Sequence, residues 1–331
     1  MNSSSSSPLH SISTTASEPP GSGQDQPRAD AAKQAHAACG RALVLGGGGS
    51  TGNAWLIGVV AGLYDAGLDV TTADLTIGTS AGSTAAAQIA GATPTELLAA
   101  ILAAAPQQRP VPVGSDRGGV RTKPVVDHLE RINKIIASSE DAADMRRRMG
   151  AAALDMEAAS DGSWQTQWRA TVASRLPNQD WPQRTVLITA VDARTGQPAV
   201  FDRCSGIDLA DAVAASCSSG LPYRIGDNKY IDGGYRSNAE NADLAAGYGR
   251  VLVLSPFGGR SLAPLDWGVQ LAAQVDELRA YGSKVETIFP DSSAEHMFGA
   301  NAMDFSLRPR AARAGFEQGK ALAGQLAEFW R

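Results

Sequence analysis

Cysteine, histidine and long hydrophobic runs are scarce in this 331-residue chain, and each shortage excludes a class of protein. The three cysteines, Cys39, Cys204 and Cys217, are too few and too odd in number for a disulfide framework. Four scattered histidines give no zinc-type spacing. No run approaches the ~20 apolar residues that span a bilayer, and no apolar signal segment follows Met1. We therefore expect a cytoplasmic protein with no metal and no other cofactor.

Positive charge is also limited. The chain has 29 Lys and Arg residues against 34 Asp and Glu residues, so its formal net charge is −5. A protein that binds nucleic acid generally needs a basic face for the phosphates, so we expect no nucleic-acid partner. With 43% hydrophobic residues, the chain can form one large domain with a substantial core.

Composition divides the chain into a tail and a domain. Residues 1–38 are rich in Ser, Thr, Pro, Gly and Gln. Such a segment buries too little apolar surface to offset its loss of conformational entropy, so we expect it to be disordered. Residues 39–331 are expected to form the folded domain.

Short apolar strands alternate with helical patterns from residue 41 onward. Ala42–Leu45 is a continuous apolar run before four glycines, and Leu75–Ile77 and Thr185–Val191 are typical of further buried strands. This alternation predicts an α/β three-layer sandwich around a mostly parallel sheet. Residues of about 106–180 break the pattern, with Pro, Gly and charges followed by long helical spacing, and we predict a helical cap inserted there.

The first candidate site is Gly78-Thr79-Ser80-Ala81-Gly82, which matches G-x-S-x-G between a strand and a helix. A tight strand-to-helix turn requires small residues on both sides of the serine, here Gly78 and Gly82. Ser80 then lies at a helix N-terminus, where unpaired N–H groups favour developing negative charge. A plain glycine turn with an idle serine is the alternative.

The second candidate is the glycine loop at residues 46–52. Gly47, Gly49 and Gly52 also satisfy G-x-G-x-x-G, the pattern of dinucleotide-binding turns. That function needs a carboxylate at the end of the next strand, where this chain has Gly78-Thr79-Ser80 instead. The backbone N–H groups of the loop suit an oxyanion better than a nucleotide.

The third candidate is Asp232, which follows a short strand and precedes Gly233-Gly234. Alone, Asp-Gly-Gly is a common turn. The glycine loop, the G-x-S-x-G segment and Asp-Gly-Gly in this order resemble the patatin-like phospholipases. The resemblance covers residues of about 41–256, apart from the cap, and includes the Ser216-Cys217 segment before Asp232.

The resemblance implies a lipid acyl hydrolase of the phospholipase or carboxylesterase type. Ser80 would attack an acyl carbonyl, Asp232 would take its proton, and Gly47, Gly48 and Gly49 would form the oxyanion hole, chiefly through the N–H groups of the last two. The substrate would be a lipid or another acyl ester, with transient contact to a membrane surface as an option. The family usually carries Arg or Lys where this chain has Thr51, so a nearby positive charge is lost.

Two other functions remain open. Ser80, Asp232 and His296 occur in the chain order of an α/β-hydrolase triad. A patatin-shaped module that binds lipid or a partner without catalysis is the second. Thr51 alone supports it, since the reactive positions are occupied.

Overall fold

A computed structural model describes residues 40–104, 124–158, 160 and 163–331, so the predicted tail lies outside the described residues. Within these residues, eight strands form one mixed sheet. They are β1 (Arg41–Leu45), β2 (Leu75–Gly78), β3 (Thr185–Asp192), β4 (Pro198–Phe201), β5 (Tyr223–Ile225), β6 (Asn228–Asp232), β7 (Arg250–Leu254) and β8 (Lys284–Ile288).

The strand order is β5-β6-β3-β2-β1-β7-β8, and β4 also pairs with β3. Every pair in the run β3-β2-β1-β7-β8 is parallel. The antiparallel pairs are β3 with β4, β3 with β6, and β5 with β6. The prediction of an α/β fold with a mostly parallel sheet is therefore confirmed.

Helices cover the sheet. In the described residues they are α1 (Gly49–Asp65), α2 (Ala81–Gly91), α3 (Pro94–Ala103), α4 (Pro124–Ala137), α5 (Ala142–Ala158), α6 (Trp164–Ala173), α7 (Leu209–Ser216), α8 (Leu271–Ala280) and α9 (Arg308–Trp330). The first turn of α3 has a capping box, in which Thr93 and Glu96 are bonded reciprocally.

Strand β1 shows why the sheet is buried on both faces. Its residues alternate between two cores: Leu43 and Leu45 belong to the one that contains Trp55 of α1, and Val44 belongs to the one that contains Leu278 of α8. Both faces of the strand therefore exclude water, which explains why its sequence is a continuous apolar run.

Helix α9 packs on α1 through glycines. A Cβ on Gly319 would lie 2.3 Å from the Val59 carbonyl oxygen, and one on Gly58 would lie 2.2 Å from the Ala312 carbonyl oxygen. Only hydrogen atoms fit at such separations, so the two backbones are in direct contact. This contact fixes the start of α9 beside the start of α1, where the glycine loop ends.

Short and irregular elements depart from the sequence-based prediction. Strands β5 and β8 have no clear pattern in the sequence. The helical spacing over residues 265–283 predicts one helix, whereas the structure has a 3₁₀ turn at Leu265–Trp267 followed by the shorter α8. The interval predicted as a cap holds α4, α5 and α6 in its described part. Within the described residues no single helix could cross a membrane by length and composition; α2 and α3 meet that test only together, across a 119° bend.

Candidate active site

Strand β3 brings the two candidate catalytic segments together. The last residue of β2, Gly78, lies opposite Ile188 in a parallel pair, and the last residue of β6, Asp232, lies opposite Ala190 in an antiparallel pair. The two strands thus run toward each other on either side of β3, and their last residues lie opposite positions of β3 that are two residues apart. The residues that follow β2 and end β6 must therefore be near neighbours.

The turn after β2 is strained. Ser80 has φ 52° and ψ −115°, one of two non-glycine residues with positive φ in the described chain. Glycine is required on both sides of it. A Cβ on Gly78 would lie 2.6 Å from Ser83 Cα, and one on Gly82 would lie 1.8 Å from the Leu45 carbonyl oxygen at the end of β1. The turn therefore presents the serine at the carboxyl end of β2 in the geometry of a nucleophile elbow.

Ser80 is held by contacts at each of its polar atoms. Its Oγ donates to Asp232 Oδ2 at 2.7 Å. Its backbone N–H donates to Ser216 Oγ at 2.9 Å, and its carbonyl oxygen accepts from Ser83 Oγ at 2.6 Å and from Cys217 Sγ at 3.1 Å. The hydroxyl is therefore directed at the carboxylate rather than free to rotate.

Asp232 is a buried carboxylate, 7% exposed. Burial raises its pKa to about 6, although the hydrogen bonds from the Gly234 N–H and from Ser80 oppose that shift. The Gly234 bond goes to Oδ1 at 2.8 Å, which leaves Oδ2 for the serine. Asp232 is thus a stronger base than an exposed carboxylate and still ionises near neutral pH.

Behind these two residues lies a polar network that sequence reasoning missed. Asn241 Nδ2 donates to Thr79 Oγ1 and to the Gly233 carbonyl oxygen, both at 3.0 Å. Thr79 precedes the serine and Gly233 follows the aspartate, so one buried amide links the two turns. Asn241 has a positive φ of 56°, which asparagine tolerates better than most residues, but no motif in the sequence marks this position.

The glycine loop lies next to Ser80: a Cβ on Gly47 would be 3.6 Å from the serine Cβ. The Gly47 N–H donates to the Ala239 carbonyl oxygen at 2.7 Å. No described residue accepts a hydrogen bond from the N–H groups of Gly48 or Gly49. Two backbone donors at the start of α1 therefore remain available beside the serine.

A cavity of about 1570 Å³ opens onto Ser80, Asp232 and the glycine loop. Much of its wall is apolar. The apolar lining includes Ile57 of α1, Leu97 and Ile101 of α3, Ile132 and Ile136 of α4, Met145 of α5 and Trp168 of α6. An elongated apolar group could thus lie along these helices with one end at the serine.

The sequence pattern of patatin-like phospholipases matches residues 43–244, most of the chain and all three candidate motifs. The chain belongs to the patatin-like phospholipase family. Family membership supports lipid acyl hydrolysis as its general activity, with a lipid as substrate. Among curated proteins, no sequence matches the chain.

Two solved structures are similar to this patatin-like chain. One is VipD from Legionella pneumophila, with a TM-score of 0.38 and 13% identity over 88% of this chain and 67% of that one. The other is the type III effector protein ExoU, with a TM-score of 0.31 and 16% identity over 85% of this chain and 53% of that one. The chain therefore spans about half the length of ExoU.

The site departs from the usual patatin-like pattern at Thr51, which is fully buried. Its N–H donates to the Ala302 carbonyl oxygen at 3.0 Å, so it fastens the loop to the segment before α9. A guanidinium reaches the same loop from elsewhere in the chain. Arg308, the first residue of α9, donates from Nη1 to the Ser50 carbonyl oxygen at 2.7 Å.

The positions of His296 and of the cysteines bear on the alternative of a Ser-Asp-His triad and on the reactivity of the thiols. His296 is exposed on a 3₁₀ turn at the cavity wall. No described imidazole bonds to Ser80 or to Asp232. Cys217 and Cys204 are free thiols, and burial raises the pKa of Cys217 to about 11, so this thiol beside the serine is neutral. Cys39 lies outside the described residues.

Proposed function

We propose that the chain is a lipid acyl hydrolase that cleaves carboxylic esters with Ser80 as nucleophile and Asp232 as general base. The observation that carries the proposal is the 2.7 Å hydrogen bond from Ser80 Oγ to Asp232 Oδ2 inside an apolar cavity. Membership of the patatin-like family supports the same chemistry.

In the first step Ser80 Oγ attacks the acyl carbonyl carbon while its proton passes to Asp232 Oδ2. The tetrahedral intermediate collapses, and the alcohol leaves with the proton that Asp232 returns. Water then attacks the acyl-serine while Asp232 takes its proton. The bond from the acyl carbon to Ser80 Oγ breaks, Asp232 returns the proton to that oxygen, and the fatty acid is released. A positioned general base contributes about 10²–10⁴-fold to such a step.

The oxyanion is proposed to bind at the N–H groups of Gly48 and Gly49, with Gly47 lining the same space. These donors belong to backbone that is fixed by close packing: a Cβ on Gly48 would lie 2.5 Å from Pro256 Cβ. Donors that are already oriented stabilise the intermediate without reorganisation, and one such donor contributes ~10²–10³-fold elsewhere. This stabilisation of the oxyanion compensates for a general base that is weaker than histidine.

The helices α4, α5 and α6 are proposed to act as the predicted cap, because they supply one side of the cavity. A transient contact with a lipid surface is proposed at the cavity mouth, where Leu262 is 56% exposed and Met303 50% exposed. Apolar side chains beside the opening could enter the lipid surface while an acyl chain passes to the serine.

The test is hydrolysis of p-nitrophenyl esters by the wild type and by three variants. Ser80→Ala should abolish turnover, and Asp232→Asn should lower kcat by about 10²–10⁴-fold. His296→Ala should retain activity, since its ring lies outside the serine–aspartate contact. Undiminished turnover in Ser80→Ala, or a loss in His296→Ala as deep as that in Asp232→Asn, would contradict the proposal.

A further inference from the structure

Three arginines line the cavity that contains Ser80, against two carboxylates. One of the carboxylates, Asp232, is engaged by the serine. Among the described residues, none of the three arginines, Arg175, Arg260 and Arg308, forms an ion pair. The cavity wall therefore carries arginine side chains that no described carboxylate pairs with.

Among the described residues, Arg308 bonds to neutral oxygens and to no carboxylate. Its Nη1 donates to the carbonyl oxygen of Ser50 at 2.7 Å and to the hydroxyl at 3.1 Å, and its Nη2 donates to Asn53 Oδ1 at 3.1 Å. Both acceptors belong to the first turns of α1, directly after the glycine loop. A half-buried guanidinium that no described carboxylate neutralises is costly, and an anion bound to it would offset that cost.

Arg175 follows α6, and its guanidinium lies over the Trp168 ring at 5.6 Å. A chain of side-chain hydrogen bonds connects its backbone to Arg308. The Arg175 carbonyl oxygen accepts from Gln88 Nε2, Gln88 Oε1 accepts from Asn53 Nδ2, and Asn53 Oδ1 accepts from Arg308 Nη2. Burial and then the charge of Arg175 lower the pKa of Arg308 to about 10. Both residues line the cavity that contains Ser80, so an anion bound on this part of the wall could contact both guanidiniums.

We propose that Arg308 and Arg175 form an anion subsite that takes the phosphate of a glycerophospholipid while its ester lies at Ser80. The inference rests on the proposed function and names its substrate class. Guanidinium groups suit phosphate because they donate in a planar fork and stay charged. Arg308 supplies a cation to the glycine loop in which Thr51 occupies the usual basic position.

The experiment compares two soluble substrates with the same acyl chains, dihexanoyl phosphatidylcholine and dihexanoylglycerol, which differ by the phosphate headgroup. The readout is the ratio of their kcat/KM values. We expect this ratio to fall about tenfold or more in Arg308→Met and in Arg175→Met, with partial recovery in Arg308→Lys. The matched control is Arg310→Met on the exposed side of α9, which should leave the ratio unchanged.

A ratio within twofold of the wild type in both Arg308→Met and Arg175→Met overturns the subsite. The carboxylate of the released fatty acid is a second anion that could bind to the two guanidinium groups. If the variants weaken inhibition by hexanoate while the substrate ratio stays constant, the arginines bind product and the phosphate assignment is wrong. Arg175 is exposed, so its variant keeps the test valid even if thermal melting shows that Arg308→Met unfolds.

Binding separates this inference from the proposed function. In the Ser80→Ala background, calorimetry with the non-hydrolysable dihexyl-ether phosphatidylcholine should give at least tenfold weaker binding once Arg175→Met is added, while dihexylglycerol binds equally. If the wild type cleaves no ester, the proposed function fails, and this comparison still decides the subsite. Equal phospholipid binding with and without Arg175 contradicts the subsite directly.

Discussion

The carboxyl group of Asp232 must satisfy two opposing requirements. As a base it has to be ionised, yet a carboxylate in water is too weak a base to activate an alcohol efficiently. Burial raises its pKa to about 6, and the Gly234 N–H and the Ser80 hydroxyl keep the ionised form accessible. The side chain is therefore a better base than usual while remaining largely ionised at neutral pH.

This pKa predicts the pH dependence of hydrolysis. Protonated Asp232 cannot accept the serine proton, so kcat/KM should rise with pH through about 6 and then level off, falling to about a tenth of the plateau at pH 5. The control is Glu240→Gln, because burial also raises the pKa of Glu240, to about 7. If the midpoint of the kcat/KM profile near pH 6 disappears in Glu240→Gln, then Asp232 is not the titrating base.

At the residue scale, the sequence predicts the reactive groups but not their supports. Ser80, Asp232 and the glycines stand in short motifs whose geometry follows from local sterics. Asn241 and Arg308 carry no such signal, because their contacts with Thr79 and Ser50 span 162 and 258 residues. Only the packing of distant elements reveals what these two side chains do.

Among the elements, the α1–α9 pair matters most for the site. Helix α1 begins at the glycine loop, and α9 begins at Arg308. Their contact places backbone against backbone, with a Cβ on Gly62 lying 2.1 Å from the Phe316 carbonyl oxygen. Any separation of the two helices would move the oxyanion donors relative to Ser80.

Gly319→Ala tests this packing. The added methyl group would lie 2.3 Å from the Val59 carbonyl oxygen, so the helices must separate, and we expect a loss of ~1–3 kcal/mol in the free energy of unfolding together with lower kcat. Gly324→Ala in the same helix is the control. Its Cβ meets nothing within 4 Å, and alanine should add up to ~1 kcal/mol of helix stability. Chemical denaturation that gives equal stabilities for both variants would refute the close contact.

Elements were predictable from sequence where burial imposes a simple pattern. β1 and β2 are mostly apolar and almost completely buried, and α9 has a long helical spacing that the structure matches at Arg308–Trp330. β5 has three residues, and β8 mixes Lys, Glu and Thr with two apolar residues, so neither presents a distinct period. Sheet pairing with a neighbour, which no local pattern encodes, makes them strands.

At the scale of the whole molecule, the cavity is assembled from distant parts of the chain. Its apolar wall combines α1 and α3 with α4, α5 and α6 from the interval predicted as a cap. The motifs predict where the ester reacts, whereas the shape of the space for the acyl chain depends on the packing of these helices. That shape could not be deduced from the sequence.

Filling the cavity should change the preference for acyl length. Ile101→Trp on α3 places a large ring into the lining. Displacing about two methylenes costs ~1.6 kcal/mol at ~0.8 kcal/mol each, so the kcat/KM ratio of p-nitrophenyl decanoate to butyrate should fall about tenfold. Ala99→Trp, on the exposed side of the same helix, should leave the ratio unchanged. Equal ratios in all three proteins would mean that the acyl chain lies elsewhere.

Covalent labelling with a fluorophosphonate, followed by intact-protein and peptide mass spectrometry, tests the central claim most directly. The reagent reacts only with a serine whose oxygen is activated. We predict one adduct per chain, located on Ser80, formed at least 10²-fold more slowly in Asp232→Asn and at an unchanged rate in His296→Ala. Labelling of Ser80→Ala to the same extent as the wild type, or wild-type labelling that is unaffected by Asp232→Asn, would contradict the serine–aspartate pair.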